Sequence, residues 1–296
     1  MNREAIARKA IVITGCSSGF GRATALELAK LNWHVFATVR KTSDQEELLA
    51  EARTLGCENN ITPLLCDITS AEQVESLRAQ VTDALRTEQD TTEVPYLHAL
   101  MNNAGTAFAG PVELISLDDL RNQFEVNVIA QLGVTQALLP MLKAAQGTII
   151  NVSSISGRIS TPITGAYNAS KHALESLSES LRIELAPFGV RVVLLEPASS
   201  PTNIWETSLK RAMAALGEHR AGPYASMFNM AEKVARRSSR VGFAPEVLAR
   251  TVVKILNSNH PRARYPIPFS ASVMIRARLL MPDALWDWLV RRTMRW

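Results

Sequence analysis

Tyr167 and Lys171 lie four residues apart in a stretch with a helical pattern, which makes them a candidate acid–base pair. Side chains at this spacing lie on one helix face, one turn apart, so the lysine ammonium can approach the phenol. A free phenol ionises at about pH 10, and a nearby cation favours the phenolate, which brings proton transfer towards neutral pH. The alternative is an ordinary surface pair with a solvated lysine, which is common on helices.

A serine that follows an apolar run could complete this centre. Ser154 precedes Tyr167 by thirteen residues and comes just after the run at residues 147–152. A hydroxyl at the end of a strand could hold the substrate oxygen while that oxygen gains or loses a proton. These three side chains predict proton-transfer chemistry, provided that the fold brings them together.

Short apolar runs alternate with helical patterns along the chain, which predicts a doubly wound α/β fold with a mostly parallel sheet. The predicted strands cover residues 10–14, 34–39, 62–66, 97–101, 147–152, 190–195 and 264–267. The predicted helices cover residues 22–31, 44–55, 70–85, 117–143, 224–239 and 245–257, and the helix of Tyr167 continues to about residue 186. No linker, repeat or low-complexity tract interrupts this order, so we predict one domain over residues 1–296.

The bulk composition excludes several classes of protein. The chain has 296 residues, of which 47% are hydrophobic and 20% charged, with a formal net charge of +4. Its basic excess is concentrated late in the chain, with no interleaved aromatic–basic pattern before it, which argues against a dedicated nucleic-acid-binding protein. Cys16, Cys57 and Cys66 have no metal-ligand spacing and predict reduced thiols without a metal. The first ten residues lack the apolar core of a signal peptide, and no later run has the length of a membrane span, so we expect a cytoplasmic protein.

A glycine-rich turn separates the first predicted strand from the first predicted helix. Gly15, Gly19 and Gly21 occur in this turn. Glycines let a backbone approach a pyrophosphate closely, and the N–H groups of the following helix can bind its charge. Glycine-rich turns also occur in proteins that bind no nucleotide, but the position after the first strand favours a dinucleotide.

The end of the second predicted strand bears on the choice of cofactor. NAD-binding folds usually have an acidic residue here for the adenosine ribose, whereas this chain has Arg40. A guanidinium can pair with a 2′-phosphate, so we predict NADP(H) in preference to NAD(H). Alternatively, Arg40 only begins a solvated loop.

Three further polar positions are candidates for ligand contacts. Asp67 follows the third predicted strand and could reach an adenine amino group or serve as an ordinary turn residue. The segment 102–105 (NNAG) follows the fourth predicted strand at the edge where such folds bind ligands. Asn127 lies in an apolar helical stretch, so its amide needs a partner. We favour a structural partner such as a backbone carbonyl or water, and a proton relay is the alternative.

The order and spacing of these motifs resemble the short-chain dehydrogenase/reductase family over about residues 8–268. The residues that carry the resemblance are Thr14, Gly15, Gly19, Gly21, Asp67, Asn102, Asn103, Ala104, Gly105, Asn127, Ser154, Tyr167 and Lys171. The resemblance implies that Tyr167 transfers the proton, that Lys171 lowers its pKa and binds the nicotinamide ribose, and that Ser154 fixes the substrate oxygen. It also implies that Asn127 helps to hold a water relay.

The resemblance implies a cofactor contact for each part of a dinucleotide. Pyrophosphate would lie on Gly15, Ser17, Ser18, Gly19, Phe20 and Gly21; adenine on Asp67 and Ile68; the adenosine side on Asn103, Ala104 and Gly105; and the carboxamide on Pro197 and Thr202. Two positions depart from the family pattern. Ala198 stands where glycine is common, which weakens the assignment of Thr202, and Phe20 replaces a smaller aliphatic residue, which we interpret as tolerated packing.

Within the family, three stretches look like the branch of retinol and 17β-type hydroxysteroid dehydrogenases: ATVRK, GPVELISLDDLRNQFEVNV and NVSSISGRISTP. By analogy, the segment 200–240 would form a lid over the substrate. Its apolar residues favour a hydrophobic substrate, or they pack the lid on the core: Ile204, Trp205, Leu209, Met213, Leu216, Tyr224, Met227, Phe228 and Met230.

The segment 270–296 combines apolar residues, tryptophans and arginines. It suits an amphipathic helix at a membrane surface, but we favour a segment that closes the pocket or contacts another subunit. The resemblance implies a homodimer or homotetramer.

The sequence therefore predicts hydride transfer between NADP(H) and a hydrophobic secondary alcohol or ketone. The alternatives are a non-catalytic nucleotide sensor, and an epimerase or dehydratase on the same scaffold.

Overall fold

The computed structural model describes residues 8–200 and 242–294, with short pieces between them at 207–208, 211, 222, 224–226, 228–229 and 232–233. A seven-stranded sheet forms its centre, in the order β3-β2-β1-β4-β5-β6-β7, and all neighbouring strands are parallel. The strands are β1 (Ala10–Ile13), β2 (His34–Val39), β3 (Ile61–Leu65), β4 (Ala99–Asn102), β5 (Thr148–Val152), β6 (Arg191–Pro197) and β7 (Arg264–Ile267). The predicted doubly wound parallel fold is confirmed.

Helices pack on both faces of the sheet. In chain order they are α1 (Gly19–Lys30), α2 (Thr42–Thr54), α3 (Ala71–Gln89), α4 (Leu117–Phe124), α5 (Ala130–Ala144), α6 (Gly165–Glu184), α7 (Pro245–Leu256), α8 (Phe269–Leu280) and α9 (Asp283–Met294). Shorter turns lie at Glu58–Asn60, Glu125–Ile129, Ile155–Gly157 and Ala186–Phe188.

Alternating side chains of β1 enter two separate hydrophobic cores. Ile11 and Ile13 belong to the core that also contains side chains of α1 and α7. Ala10 and Val12 belong to the core with α3 and α5. Because both faces of β1 are covered, the whole strand is apolar and buried, as its sequence pattern predicts.

Helix α1 begins at Gly19, three residues earlier than predicted. Glycine is a poor helix former, so the sequence pattern placed both Gly19 and Gly21 in the turn. Gly21 instead lies inside the helix, where close contacts with neighbouring segments leave no room for a side chain.

The long helix predicted for residues 117–143 is interrupted by a π turn. Helix α4 runs into the wider turn Glu125–Ile129, which continues directly into α5. A π turn holds one extra residue, and such turns are frequent at functional sites. Asn127 lies in the middle of this one.

The C-terminal segment forms two helices instead of one. Helices α8 and α9 are separated by Met281 and Pro282, because proline has no N–H group to continue a helix. Phe269, Leu280 and Trp288 are exposed on this hairpin. Among the described helices, none is both long enough and apolar enough to cross a membrane.

The three cysteines, Cys16, Cys57 and Cys66, are buried free thiols. Burial raises the pKa of each of them, for Cys66 to about 11. The Cys16 thiol also donates a hydrogen bond to the carbonyl oxygen of Ile13.

Candidate active site

A cavity of about 600 Å³ opens at the carboxyl edge of the sheet, where the chain leaves β1, β4, β5 and β6. The strand order reverses between β1 and β4, and open parallel sheets bind ligands at such a reversal. The predicted site residues that line the cavity are Gly15, Ser17, Ser18, Gly19, Phe20, Arg40, Asp67, Ile68, Asn103, Ala104, Gly105, Ser154, Tyr167, Lys171 and Pro197. Gly21 and Asn127 do not line it in the described part of the chain. Thr202 lies outside the described residues.

The glycine turn packs directly against the segment that follows β4. Gly15 has a φ of 72°, and a Cβ atom there would lie 2.9 Å from Cα of Ala104. A Cβ atom at Gly21 would lie 2.3 Å from the carbonyl oxygen of Gly15 and 2.5 Å from Nδ2 of Asn103. Both positions therefore need glycine, and any side chain would push the two segments apart.

Hydrogen bonds hold the two segments together. Oγ1 of Thr14 accepts bonds from the backbone N–H groups of Asn103 and Ala104, each at 3.0 Å. Nδ2 of Asn103 donates to the carbonyl oxygens of Thr14 at 2.8 Å and Gly15 at 2.9 Å. The Asn103 amide group that the sequence assigned to the adenosine side thus supports the glycine turn.

The start of α1 suits an anion. Ser18 is the N-cap residue, yet its side chain makes no capping hydrogen bond with any described residue, and the first helical turn has no acidic residue. The first N–H groups of a helix have no partner within it and carry a partial positive charge. Since Ser17, Ser18 and Gly19 also line the cavity, this turn fits a pyrophosphate.

Arg40 and Asp67 lie at the same end of the cavity. Oδ1 of Asp67 accepts two hydrogen bonds from Thr69, one from the backbone N–H group at 3.0 Å and one from the hydroxyl at 2.8 Å. Burial opposes ionisation of Asp67, but these bonds and the positive charge of Arg40 outweigh it and lower the pKa of Asp67. Arg40 is exposed, so its guanidinium is accessible to an anionic ligand.

Ser154, Tyr167 and Lys171 meet on the opposite side of the cavity, below β5 and on α6. Oγ of Ser154 accepts a bond from the N–H group of Ser156 at 3.1 Å. Nζ of Lys171 donates to the carbonyl oxygen of Val152 at 2.8 Å and lies 5.8 Å from the centre of the Tyr167 ring. All three side chains are buried, so the structure brings the predicted trio together away from bulk water.

Burial is the main cause of the shifted pKa values of Tyr167 and Lys171. It raises the pKa of Tyr167 to about 12, against a smaller opposite effect of the hydrogen bond with Ser154. It lowers the pKa of Lys171 to about 8, against an opposite effect of the Glu175 carboxylate. The lowered phenol pKa expected from the sequence does not occur, because desolvation of the buried phenol outweighs the hydrogen bond with Ser154. At neutral pH Tyr167 keeps its proton and is a proton donor.

Asn127 uses its whole amide group inside the protein. Its Oδ1 accepts a bond from the N–H group of Thr106 at 2.9 Å, and its Nδ2 donates to the carbonyl oxygen of Thr106 at 3.0 Å. Nδ2 also donates to Oγ of Ser170 at 3.1 Å, next to Lys171 on α6. These contacts are with protein groups, as expected if Asn127 has a structural role. The role of Asn127 in a water relay stays a prediction.

Some residues that line the cavity carried no sequence signal. Thr106 and Phe108 follow the NNAG segment, and Thr207 and Arg211 come from the predicted lid. Arg211 donates a hydrogen bond to Oγ1 of Thr106 at 3.1 Å and lies 5.1 Å from the centre of the Phe108 ring. Arg211 therefore contacts a loop that is distant in sequence, and only the folded chain shows this contact.

The two departures from the family pattern are accommodated locally. Phe20 stacks on Phe243, with ring centres 5.6 Å apart, which agrees with its interpretation as packing. Ala198 donates its N–H group to the carbonyl oxygen of Ile267 at 2.7 Å, so the alanine extends the pairing of β6 with β7. The carbonyl oxygen of Pro197 accepts a long bond, 3.4 Å, from Oγ of Ser154.

Comparisons with known proteins identify the family to which the chain is similar. The family model for short chain dehydrogenases matches residues 9–212. Retinol dehydrogenase 5 from Mus musculus is 34% identical, over 95% of this chain and 89% of its own length. An NADPH-dependent 3-dehydrocapnine reductase from Ornithobacterium rhinotracheale is 31% identical, over 93% of this chain and 94% of its own length. A short-chain dehydrogenase/reductase from Burkholderia phymatum, solved in complex with NAD, has 27% identity and a TM-score of 0.76, covering 92% of this chain and 93% of that chain.

Proposed function

The chain belongs to the short-chain dehydrogenase family and is an oxidoreductase, and we propose that it transfers a hydride reversibly between NADP(H) and a hydrophobic secondary alcohol or ketone. The observation that carries this proposal is the cavity itself, which has an anion-binding helix start on one side and the buried trio Ser154, Tyr167 and Lys171 on the other. When bound, a nicotinamide cofactor supplies or accepts the hydride.

In the proposed mechanism, the protein's own residues handle the proton. Ser154 donates a hydrogen bond from its hydroxyl group to the substrate oxygen, which holds that oxygen in place. Tyr167 gives its proton to that oxygen during reduction and accepts a proton during oxidation. The raised pKa of Tyr167 means that the phenol is protonated at neutral pH, which is the state that ketone reduction requires. Lys171 provides a positive charge near the phenol and would contact the nicotinamide ribose of a bound cofactor.

The proposed preference for NADP(H) depends on Arg40. Its guanidinium lies at the cavity end formed by β2 and β3, without a carboxylate at the end of β2 to repel a 2′-phosphate. The positive charge of Arg40 already acts on Asp67, so it would also attract a phosphate there. The NADPH-dependent relative supports this choice, and the relative solved with NAD makes NAD(H) the alternative.

The proposed hydrophobic substrate is supported by the apolar residues near the lid. Phe108 and Ile155 line the cavity. Behind them, Ile163 and Phe228 form a small buried cluster with Tyr224 packed against it. The similarity to retinol dehydrogenase 5 is consistent with an apolar alcohol. The other predicted lid residues, among them Ile204, Trp205 and Met213, lie outside the described residues.

A substrate panel tests the proposal directly. Steroid ketones, retinoids and simple aryl ketones would be incubated with the enzyme and either NADPH or NADH, while the absorbance of the reduced cofactor is followed. We expect NADPH oxidation with apolar ketones and slower oxidation with NADH. No turnover with any compound would support the non-catalytic nucleotide sensor instead. Product formation without net cofactor oxidation would support an epimerase or dehydratase.

A homodimeric or homotetrameric state and a cytoplasmic location stay predictions from the sequence.

A further inference from the structure

A second cavity, of about 670 Å³, lies between the C-terminal hairpin and the segment that follows β5. We call it the C-terminal pocket. Its walls come from residues 158–162, from His172 on α6, from the end of α8 and from one face of α9. Its lining shares no residue with the catalytic cavity in the described part of the chain, and the proposed reaction uses none of it.

Arginines outnumber carboxylates in the lining of the C-terminal pocket. Arg158, Arg278 and Arg291 line it, whereas Asp287 is the carboxylate in its lining. Arg158 is partly neutralised, because Nη1 lies 3.2 Å from Oε1 of the buried Glu196. Arg291 is exposed and has no ion pair with another described residue, so its charge is available to a ligand.

The second arginine of the pocket is fixed in place. One nitrogen of Arg278 is 2.6 Å from Oδ1 of Asp283, and another donates to the carbonyl oxygen of Met281 at 3.1 Å. Its guanidinium lies 5.3 Å from the centre of the Trp286 ring. Asp283 partly neutralises Arg278, but a guanidinium has five N–H donors and can bind a second oxyanion with those that stay free. Because the side chain is already held in place, it loses little freedom when an anion binds.

The remaining wall is apolar. Pro162, Leu279, Trp286 and Val290 line the pocket beside the arginines. Leu279 is 63% exposed, and Pro162, Trp286 and Val290 are partly exposed, so this wall is open to solvent. A pocket that is open to solvent, with arginines on one wall and apolar side chains on another, suits a molecule that has both an anionic and an apolar part.

We propose that the C-terminal pocket binds a small anionic amphiphile, a carboxylate or phosphate ester joined to an apolar chain. The oxyanion pairs with the guanidinium groups of Arg278 and Arg291. The apolar chain covers Leu279 and Trp286 and removes their surface from water. Binding at this site depends on no step of the proposed reaction, so failure of one leaves the other intact.

Calorimetric titration of the full-length protein with saturating NADPH tests the site. The probes are decanoate, decyl phosphate, inorganic phosphate and decyltrimethylammonium. We expect saturable binding of one or both of the anionic amphiphiles, and the tighter one identifies the preferred head group. Inorganic phosphate should bind more weakly because it lacks the chain. Absence of saturable binding by both anionic amphiphiles, or equal binding of the cationic one, would overturn the proposal.

Two matched pairs of variants locate the binding site, because an amphiphile could also enter the catalytic cavity. Arg291→Gln removes a pocket charge, and Arg292→Gln removes its neighbour, which stacks on Trp288 outside the pocket. Leu279→Asp adds a negative charge in the pocket, and Leu280→Asp adds one at the adjacent position, which is 85% exposed. We expect the two pocket variants to weaken binding about tenfold or more, since charge-assisted bonds are lost or opposed. Equal losses in the two control variants would contradict the assignment.

Discussion

On the nucleotide side of the catalytic cavity, contacts of the backbone hold the glycine turn in position, with Gly15 and Gly21 pressed against the segment after β4. On the acid–base side, Ser154, just after β5, lies close to Tyr167 and Lys171 on α6, and all three side chains are buried. Desolvation shifts the pKa values of Tyr167 and Lys171. The first side should therefore be sensitive to added volume and the second to lost functional groups. Each of the following predictions would break or sharpen this contrast.

The largest effect is expected from Tyr167→Phe. The variant removes the proton donor and keeps the ring that packs in the buried site, so we expect turnover to fall by about a thousandfold or more. NADPH binding should be unchanged, because the glycine turn is intact. The absorbance of NADPH during ketone reduction measures turnover, and calorimetric titration with NADPH measures binding. Near-normal turnover in this variant would refute the proposed role of Tyr167.

Gly21→Ala should damage the nucleotide side. The added Cβ atom would displace the carbonyl oxygen of Gly15 and the Asn103 amide, so we expect NADPH affinity to fall by more than about tenfold, together with a lower Tm. The control is Gly133→Ala on α5, where a Cβ atom would meet no described atom within 4 Å. Alanine there should leave NADPH affinity unchanged and stabilise the helix by about 0.5–1 kcal/mol. Similar losses in both variants would mean that α1 and α5 are equally sensitive and that the turn has no special requirement.

Arg40→Asp tests whether a side chain contributes to the nucleotide side. The new carboxylate repels a 2′-phosphate and can accept bonds from a ribose, so the ratio of kcat/KM for NADPH to that for NADH should fall about tenfold or more. Lys41→Asp is the control, since it makes the same charge change at the next residue, which is outside the cavity lining. An unchanged ratio in Arg40→Asp, or an equal change in Lys41→Asp, would remove Arg40 as the source of the preference.

The smallest effect is expected from pH. Tyr167, with a pKa of about 12, keeps its proton throughout the neutral and mildly basic range. Lys171, with a pKa of about 8, is charged below that pH and loses its charge above it. The kcat/KM for ketone reduction should therefore decline above about pH 8, although the proton donor is still present. In Lys171→Arg the cation persists, so the decline should disappear; an identical decline would assign it to another group.

Much of this architecture was accessible from the sequence because it depends on short-range patterns. Local requirements of the backbone explain the apolar run of β1, the glycine turn and the spacing from Ser154 to Tyr167. These patterns were enough to predict the fold and many of the residues that line the catalytic cavity. Even the break between α8 and α9 had a local signal, Pro282, since proline cannot continue a helix.

Other features depend on the whole fold and had no such signal. The π turn around Asn127 differs from an ordinary helical turn by one residue, which the apolar pattern of residues 117–143 does not reveal. The pKa of Tyr167 depends on how much water the fold removes, so an argument from the nearby lysine alone gave the wrong direction. Arg211 reaches Thr106 across more than a hundred positions of chain, and only the packed structure brings such partners together.

The burial of Cys16, Cys57 and Cys66 has a practical consequence for labelling. A thiol reacts with alkylating reagents as its thiolate, and these three are both shielded and held protonated at neutral pH. A cysteine introduced at the exposed Leu280 would react far faster than any of them. A fluorophore could thus be attached beside the C-terminal pocket in the otherwise unaltered chain, with no native cysteine removed first.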